Sequence, residues 1–221
     1  MDGLKKVKKE IEDAETAYGK NLGDTKLIAV SKTKPMDQIK KVIDQGHLHF
    51  GENRVQEAIS KWEDVKKNRK DLKIHLLGPL QTNKVKKVFN LFDYIHSLDR
   101  LSLAEKLSQF AKERGFCPKL FVQVNTGKEE QKSGVFPENL GEFLNTCRET
   151  YDLDIAGLMC IPPVNEAPEY HFEILRDLAN DNDLSELSMG MSADFKIAIK
   201  CGSTFIRVGT AIFGEREKQI L

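Results

Sequence analysis

A lysine that directly follows an apolar segment is the first candidate for chemistry in this sequence. The segment Leu27–Val30 is followed by Ser31, Lys32, Thr33 and Lys34. An apolar run of this length predicts a buried strand, so Lys32 is expected at a strand end where water is partly excluded. Desolvation and a neighbouring positive charge both favour the neutral amine, which could attack a carbonyl carbon. The alternative is a lysine that pairs with a carboxylate or extends into solvent.

Two segments near the C-terminus have the composition of phosphate sites. Ser192 precedes a helical segment that is predicted to begin near Ala193, and Gly209-Thr210 follows the last apolar segment. The N-terminus of a helix presents free backbone N–H groups, and such groups bind phosphate. Ser192 and Thr210 could each be a simple helix N-cap, but two such residues at consecutive strand ends favour a phosphate site.

Arg207 lies two residues before Gly209, so both are expected on one face of the last strand. From there the guanidinium could contact the ring nitrogen of a cofactor and keep it unprotonated. The alternative is an arginine that pairs with a strand-end acid such as Glu52. An amine nucleophile beside a phosphate site suggests a phosphorylated aldehyde held as a Schiff base, and pyridoxal 5′-phosphate (PLP) has this form. A Schiff-base aldolase for a sugar phosphate, with Lys32 attacking the substrate, would use the same residue types.

Eight short apolar segments alternate with helical patterns, and these elements must position the reactive residues. The predicted strands are 27–31, 49–53, 73–78, 94–98, 119–125, 154–160, 186–190 and 204–209. Eight strands separated by seven helices predict an α/β fold, a single-domain (β/α)8 TIM barrel over residues 1–221, with an extra N-terminal helix at about 4–19. The alternative is a doubly wound open sheet, but no G-x-G-x-x-G follows the first strand. Ligands of such barrels bind at the carboxyl ends of the strands.

The composition argues against several classes of protein. Lys and Arg number 34 and so do Asp and Glu, which argues against a nucleic-acid-binding protein. No segment approaches the ~18 apolar residues that span a membrane, and no signal peptide is apparent. The four cysteines are far apart, so reduced thiols in a cytoplasmic protein are expected. His47 and His49 have no second ligand cluster near them, so no metal site is expected.

Seven motifs together resemble the pyridoxal phosphate homeostasis protein family, which is related to the N-terminal barrel of alanine racemase. The motifs are AVSKTKP, HFGENRVQE, HLLGPLQTNK, VQVNTGKEEQKSG, GLMCIPP, LSMGMSADFKIAI and RVGTAIFGER. They occur in the family's order over nearly the whole chain, each at a predicted strand end. The resemblance implies a (β/α)8 barrel of the alanine racemase N-terminal type.

The resemblance also implies a set of cofactor contacts, with PLP bound to the first lysine of the S-K-T-K-P motif. The implied residues are Lys32, Asn53, Met191, Arg207 and, at the phosphate, Ser192, Gly209 and Thr210. Arg207 would face the pyridine nitrogen. His75 and the loop Gly78–Lys84 would line the same mouth.

The function implied by the resemblance is that of a PLP-binding protein rather than an enzyme. Such a protein takes part in intracellular PLP homeostasis and could hand the cofactor to apo PLP-dependent enzymes; a cytoplasmic monomer is expected.

Racemisation needs two bases, and racemases of this type supply the second as a tyrosine from an added domain. The four tyrosines here are predicted in helices, in a turn or at the base of the fourth strand: Tyr18, Tyr94, Tyr151 and Tyr170. The alternative function is a small PLP-dependent racemase with an open site.

Overall fold

The computed structural model describes residues 3–215, and its centre is a closed barrel of eight parallel strands. The strands are β1 (Lys26–Val30), β2 (His49–Glu52), β3 (Lys73–Leu76), β4 (Tyr94–Leu98), β5 (Lys119–Val124), β6 (Ile155–Cys160), β7 (Glu186–Ser188) and β8 (Phe205–Val208). They follow one another around the barrel in chain order, and β8 pairs with β1 to close it. The predicted (β/α)8 barrel is confirmed, and the open sheet is wrong.

Helices surround the barrel and connect its strands. They are α1 (Gly3–Ala17), α2 (Met36–Ile43), α3 (Val55–Asn68), α4 (Val85–Val88), α5 (Leu101–Arg114), α6 (Leu140–Asn145), α7 (Pro168–Asp181), α8 (Phe195–Lys200) and α9 (Thr210–Phe213). The extra N-terminal helix is α1, which buries Leu4, Val7 and Ile11 along one stripe and packs against α8 and α9. Within residues 3–215, no helix has the length and apolar character needed to cross a bilayer.

The helix predicted to begin near Ala193 starts two residues later, at Phe195. The chain leaves β7 through Gly190, whose φ of +92° is a conformation that side chains disfavour. A Cβ atom at Gly190 would lie 2.5 Å from Ala198 Cβ, so the turn requires glycine. Asp194 Oδ1 accepts a hydrogen bond from Met191 N at 2.6 Å and delays the start of the helix.

The pairing of β1 with β8 brings the first and last strands of the chain together. Ile28 lies opposite Arg207 and Ala29 lies opposite Val208, while Lys26 N donates to Thr204 O at 2.8 Å. Because parallel strands end at the same side of a barrel, the residues after Val30 and after Val208 meet at one mouth.

The barrel interior combines an apolar cluster with a line of histidines. The apolar cluster is Ile28, Phe121, Met159 and Phe205. His96 stacks on Phe121 with ring centroids 4.4 Å apart, and His75 stacks on Tyr94 at 4.1 Å. The rings of His75 and His96 join through nitrogen atoms 2.9 Å apart.

The prediction that His75 lines the mouth is wrong. Its side chain points into the barrel and is fully buried, at the level of its strand neighbours Gly51 and Tyr94. β3 ends at Leu76, so the residues that reach the mouth from this strand are Leu77 and those after it.

The imidazoles of His47, His75 and His96 are buried, and we expect this to make folding sensitive to acid. Burial lowers the pKa of His75 and of His96 well below the ordinary value, and it lowers the pKa of His47 to about 4. Below about pH 6.5 the unfolded chain gains protons that the folded chain does not. Each of these histidines therefore removes up to about 1.4 kcal/mol of unfolding free energy per pH unit as the pH falls.

The variant His47→Gln tests this account through urea unfolding between about pH 7 and pH 4.5. We expect the pH slope of the unfolding free energy to decrease by about 1.4 kcal/mol per pH unit near pH 5, because one proton-uptake site is lost. An unchanged slope would contradict the assignment of His47 as a buried neutral ring.

A buried carboxylate joins β2 to α3 beside the mouth. Glu52 is fully buried, and its Oε1 accepts hydrogen bonds from Ser31 Oγ at 2.7 Å and from Trp62 Nε1 at 2.9 Å. Lys61 Nζ lies 2.8 Å from the same oxygen, with its side chain 13% exposed. Removing one member of a buried ion pair leaves the other charge without compensation.

We expect Lys61→Met to lower the free energy of unfolding by about 3–5 kcal/mol, because Glu52 would remain buried without its cation. Chemical denaturation measures this change. The control is Lys67→Met on the same helix, whose ammonium pairs with the exposed Asp64, and it should leave stability unchanged. Equal effects of the two substitutions would rule out a structural role for the buried pair.

Candidate functional site at the barrel mouth

A cavity of about 340 Å³ opens at the carboxyl ends of the strands. Its lining residues are Val30, Lys32, Asn53, Leu77, Ile161, Met191, Ser192, Ala193, Arg207, Gly209 and Thr210. All seven of the predicted site residues are among them. The volume lies within the ~300–1,000 Å³ range of small-molecule sites.

Lys32 lies in a tight turn that side chains of α3 hold in place. Thr33 adopts a left-handed φ of +63°, and its N–H donates to Glu57 Oε1 at 2.6 Å. Lys61 Nζ donates to Ser31 O at 2.8 Å and to Glu57 Oε1 at 2.9 Å. Partial burial acts to raise the pKa of Glu57, but the hydrogen bonds from Lys61 and Thr33 N hold it below the ordinary value. These bonds fix the backbone on both sides of Lys32.

Lys34 points to a different place from Lys32. Its ammonium donates to the carbonyl oxygens of Phe213, Gly214 and Glu215 at 3.1, 3.1 and 2.8 Å. A cation at this place satisfies carbonyl groups that a helix end leaves without partners. Lys34 therefore holds the end of α9 and is not part of the cavity wall.

The hydroxyl groups of Ser192 and Thr210 meet at the other side of the cavity. Thr210 Oγ1 lies 3.1 Å from Ser192 Oγ. The first backbone bonds of α9 run from Ile212 and Phe213 to Gly209 O, so the N–H groups of Thr210 and Ala211 precede the helical ladder. The N-cap positions of α8 and α9 belong to Asp194 and Gly209, so the interpretation of the two hydroxyl residues as simple N-caps is wrong. Two hydroxyls and two backbone donors suit a phosphate.

Arg207 forms the floor of the cavity and is only 5% exposed. Its Nη1 donates to Ser188 Oγ at 2.8 Å and its Nη2 to Cys160 O at 2.9 Å. Burial lowers the pKa of Arg207, but an arginine keeps its charge in proteins. The predicted alternative, an ion pair with Glu52, is wrong because Glu52 pairs with Lys61.

A buried guanidinium without a carboxylate retains the capacity to donate to a ligand. Among residues 3–215 no carboxylate lies within ion-pair distance of Arg207, and two of its five N–H donors account for both of its hydrogen bonds. Cys160, whose carbonyl oxygen it contacts, has a pKa raised to about 12 by burial, so its thiol is neutral. PLP fits this donor set, because its ring nitrogen is an acceptor and its phosphate matches the hydroxyls of Ser192 and Thr210.

The four tyrosines lie away from the cavity wall. Tyr94 is inside the barrel and stacks on His75, while Tyr170 is an exposed residue of α7. Tyr18 follows α1 and Tyr151 follows the π-helical turn after α6. The prediction that no tyrosine of this chain serves as a second base at the mouth agrees with this placement.

A second cavity of about 270 Å³ adjoins the first and shares Asn53, Leu77 and Ile161 with it. Gly78 and Pro79 line it, so part of the predicted loop Gly78–Lys84 does reach the mouth. Sequence reasoning missed the apolar wall residues Leu77 and Ile161, which carry no chemical signal. It also missed Ser188, although that residue lies two positions before Gly190 on the predicted strand.

The alanine racemase N-terminal domain family matches residues 4–217 of the chain. A pyridoxal phosphate homeostasis protein of Aquifex aeolicus is 40% identical, with 97% of both chains aligned. The protein of the same name from Escherichia coli K12 is 36% identical, over 97% of this chain and 95% of that relative. The relatives therefore match the chain over nearly their full length.

Solved structures also resemble the chain. PipY of Synechococcus elongatus PCC7942, with PLP bound, has a TM-score of 0.78 at 38% identity and covers 92% of this chain and 100% of its own. An alanine racemase of Clostridium difficile 630 has a TM-score of 0.69 at 16% identity, over 96% of this chain and 57% of its own, which shows the shared fold alone. The chain belongs to the alanine racemase N-terminal domain family, and within that family it is a member of the pyridoxal phosphate homeostasis proteins.

Proposed function

We propose that the protein binds PLP in the mouth cavity as a Schiff base on Lys32 and takes part in PLP homeostasis. The observation that carries the proposal is the convergence of three unlike groups on one cavity. These are the half-buried amine of Lys32, the buried guanidinium of Arg207 and the paired hydroxyls of Ser192 and Thr210. A relative at 38% identity whose structure contains PLP supports the same assignment.

Each residue has a distinct task in this proposal. Lys32 Nζ forms the bond to the aldehyde carbon, with loss of water, while the turn fixed by Glu57 and Lys61 directs it. Ser192, Gly209 and Thr210 hold the phosphate through hydroxyl and backbone donors. The remaining lining residues, Asn53 and Met191 among them, shape the wall around the cofactor ring.

We propose that the protein has no substantial catalytic turnover. Bound PLP supplies an electron sink, and it is strongest when the ring nitrogen carries a proton. Arg207 is a permanent donor and cannot give up a proton at neutral pH, so it keeps that nitrogen unprotonated. The cavity also lacks a tyrosine to act as a second base among the described residues. Relatives of this chain carry the name of homeostasis proteins, which agrees with a binding role.

The proposed partners are PLP itself and apo PLP-dependent enzymes that receive it. The mouth is open enough for exchange, since Met191 is 38% and Ile161 43% exposed at its rim. The proposed state is a cytoplasmic monomer, and the four unpaired cysteines support the compartment because free thiols are typical of reducing surroundings.

We expect Lys32→Ala to abolish the visible absorbance that PLP gives when added to the wild-type protein, because Lys32 is the lysine that lines the mouth cavity. Borohydride reduction followed by tandem mass spectrometry should locate the pyridoxyl group on Lys32 in the wild type. Lys34→Ala is the matched control, since its amine holds the end of α9, and it should retain the band and the Lys32 adduct. An adduct on Lys34, or a band that survives Lys32→Ala, would overturn the assignment.

We expect the PLP-loaded protein to show no racemisation of L-alanine above that of free PLP, because the ring nitrogen would be unprotonated and no tyrosine of residues 3–215 lines the cavity as a second base. Chiral chromatography after prolonged incubation measures this. Turnover that disappears in Lys32→Ala would instead support the racemase. Trapping of a ketose phosphate by borohydride, without binding of PLP, would support an aldolase.

A further inference from the structure

A chain of hydrogen bonds runs through the barrel from the cavity floor towards the opposite end. Arg207 Nη1 lies 2.8 Å from Ser188 Oγ, and Ser188 Oγ lies 2.9 Å from His96 Nδ1. His96 Nε2 lies 2.9 Å from His75 Nδ1, and His75 Nε2 lies 3.0 Å from His49 Nδ1. Ser188, His96 and His75 are fully buried, so each of them depends on its neighbours for hydrogen bonding.

Arg207 fixes the direction of this chain. A guanidinium has no acceptor atom, so Ser188 Oγ accepts the hydrogen bond from Arg207. The Ser188 hydroxyl then donates its one proton to His96 Nδ1, the other polar atom with which it bonds among the described residues. In the opposite direction the buried hydroxyl proton would have no partner there, which is unfavourable for a buried donor.

The two buried rings transmit this direction. With Nδ1 as acceptor, His96 carries its proton on Nε2 and donates to His75 Nδ1, and His75 donates in turn to His49 Nδ1. A neutral imidazole offers one donor and one acceptor, which is what each inner position requires. Burial holds the pKa of both rings well below the ordinary value, in agreement with neutral rings.

We propose that Ser188 and His96 are positioning residues that fix the guanidinium of Arg207 for contact with the ring nitrogen of PLP. This inference rests on the proposed function of the cavity. Arg207 has no carboxylate to orient it among the described residues, and its second partner, Cys160 O, belongs to the backbone of β6. Ser188 is therefore the side chain that sets the orientation of Arg207, and His96 keeps the Ser188 lone pairs directed at it.

The test compares variants that break the chain with matched variants that keep it. Ser188→Ala removes the acceptor for Arg207, whereas Ser97→Ala removes a buried hydroxyl that makes no hydrogen bond among the described residues. His96→Leu removes the acceptor for the Ser188 hydroxyl, whereas His96→Asn retains an oxygen near the position of Nδ1. Asparagine fills the space less well than leucine, so packing and hydrogen bonding predict opposite orders for this pair.

The measurements are the dissociation constant for PLP and the ¹⁵N resonance of PLP labelled at its ring nitrogen. In Ser188→Ala and His96→Leu we expect PLP binding about tenfold weaker, which is about 1.4 kcal/mol, and a shifted ring-nitrogen resonance. Ser97→Ala and His96→Asn should stay close to the wild type in both. A wild-type resonance in Ser188→Ala, or a resonance in His96→Leu closer to the wild type than in His96→Asn, would overturn the proposal.

Histidine ¹⁵N spectra of the cofactor-free protein separate this inference from the proposed function. The direction of the hydrogen bonds predicts protonated Nε2 and unprotonated Nδ1 at His75, His96 and His49. We expect a changed pattern at His96 in Ser188→Ala. Protonated Nδ1 at His96 would contradict the proposed hydrogen bond from Ser188 to His96, whether or not PLP binds. A wild-type protein that forms no adduct with PLP would remove the proposed function, and with it the role of Arg207 at the ring nitrogen.

Discussion

The pairing of β1 with β8 is the contact on which the site depends. Lys32 lies near the start of the chain, and Ser192, Arg207 and Thr210 lie near its end. They share a cavity because Ile28 lies opposite Arg207 in the closed barrel and every strand ends at the same mouth. A barrel has no sheet edge, so this neighbourhood is fixed by backbone hydrogen bonds rather than by side chains. Lys32 and the hydroxyl groups of Ser192 and Thr210 are therefore brought to one cavity by the closure of the barrel.

The polar groups of the barrel interior follow from the need to place one cation at the cavity floor. A buried guanidinium must have acceptors, and Arg207 finds them in Ser188 Oγ and Cys160 O instead of in a carboxylate. A carboxylate would neutralise the charge and occupy its donors. A neutral serine backed by neutral histidines leaves Arg207 without an ion-pair partner among residues 3–215, so its remaining N–H groups can donate to a ligand acceptor. The proposed contact of Arg207 with an unprotonated ring nitrogen and the expected acid sensitivity from His75 and His96 would then have the same physical source.

Much of this architecture could be predicted from the sequence. The alternation of apolar and helical segments predicted all eight strands within about two residues, since short apolar runs between helical patterns are typical of buried parallel strands. The segment 82–92 was harder to predict, because its sequence "TNKVKKVFNLF" has helical periodicity but forms only a 3₁₀ turn and one turn of α-helix. Its apolar residues Phe89, Leu91 and Phe92 are drawn into the core, which overrides local propensity.

Residues of the cavity could be predicted where their side-chain type and their position at a strand end indicated a chemical role. They could not be predicted where the depth of the residue in the barrel decides whether it reaches the mouth. Lys32, Arg207 and Thr210 are charged or hydroxyl residues at strand ends, and all three line the cavity. His75 is also polar, but its side chain points into the barrel below the mouth and is fully buried. The sequence does not show how deep in the barrel a strand residue lies. The link from Ser188 to His96 joins residues 92 positions apart, so only the closed barrel reveals it.

A crystal structure of the PLP-loaded protein would show whether Lys32, Ser192, Thr210 and Arg207 hold the cofactor in the proposed orientation. We expect continuous density from Lys32 Nζ to the aldehyde carbon, the phosphate at Ser192 and Thr210, and the ring nitrogen within hydrogen-bond distance of Arg207. Density for PLP at another lysine, or a ring turned so that its nitrogen faces away from Arg207, would contradict it.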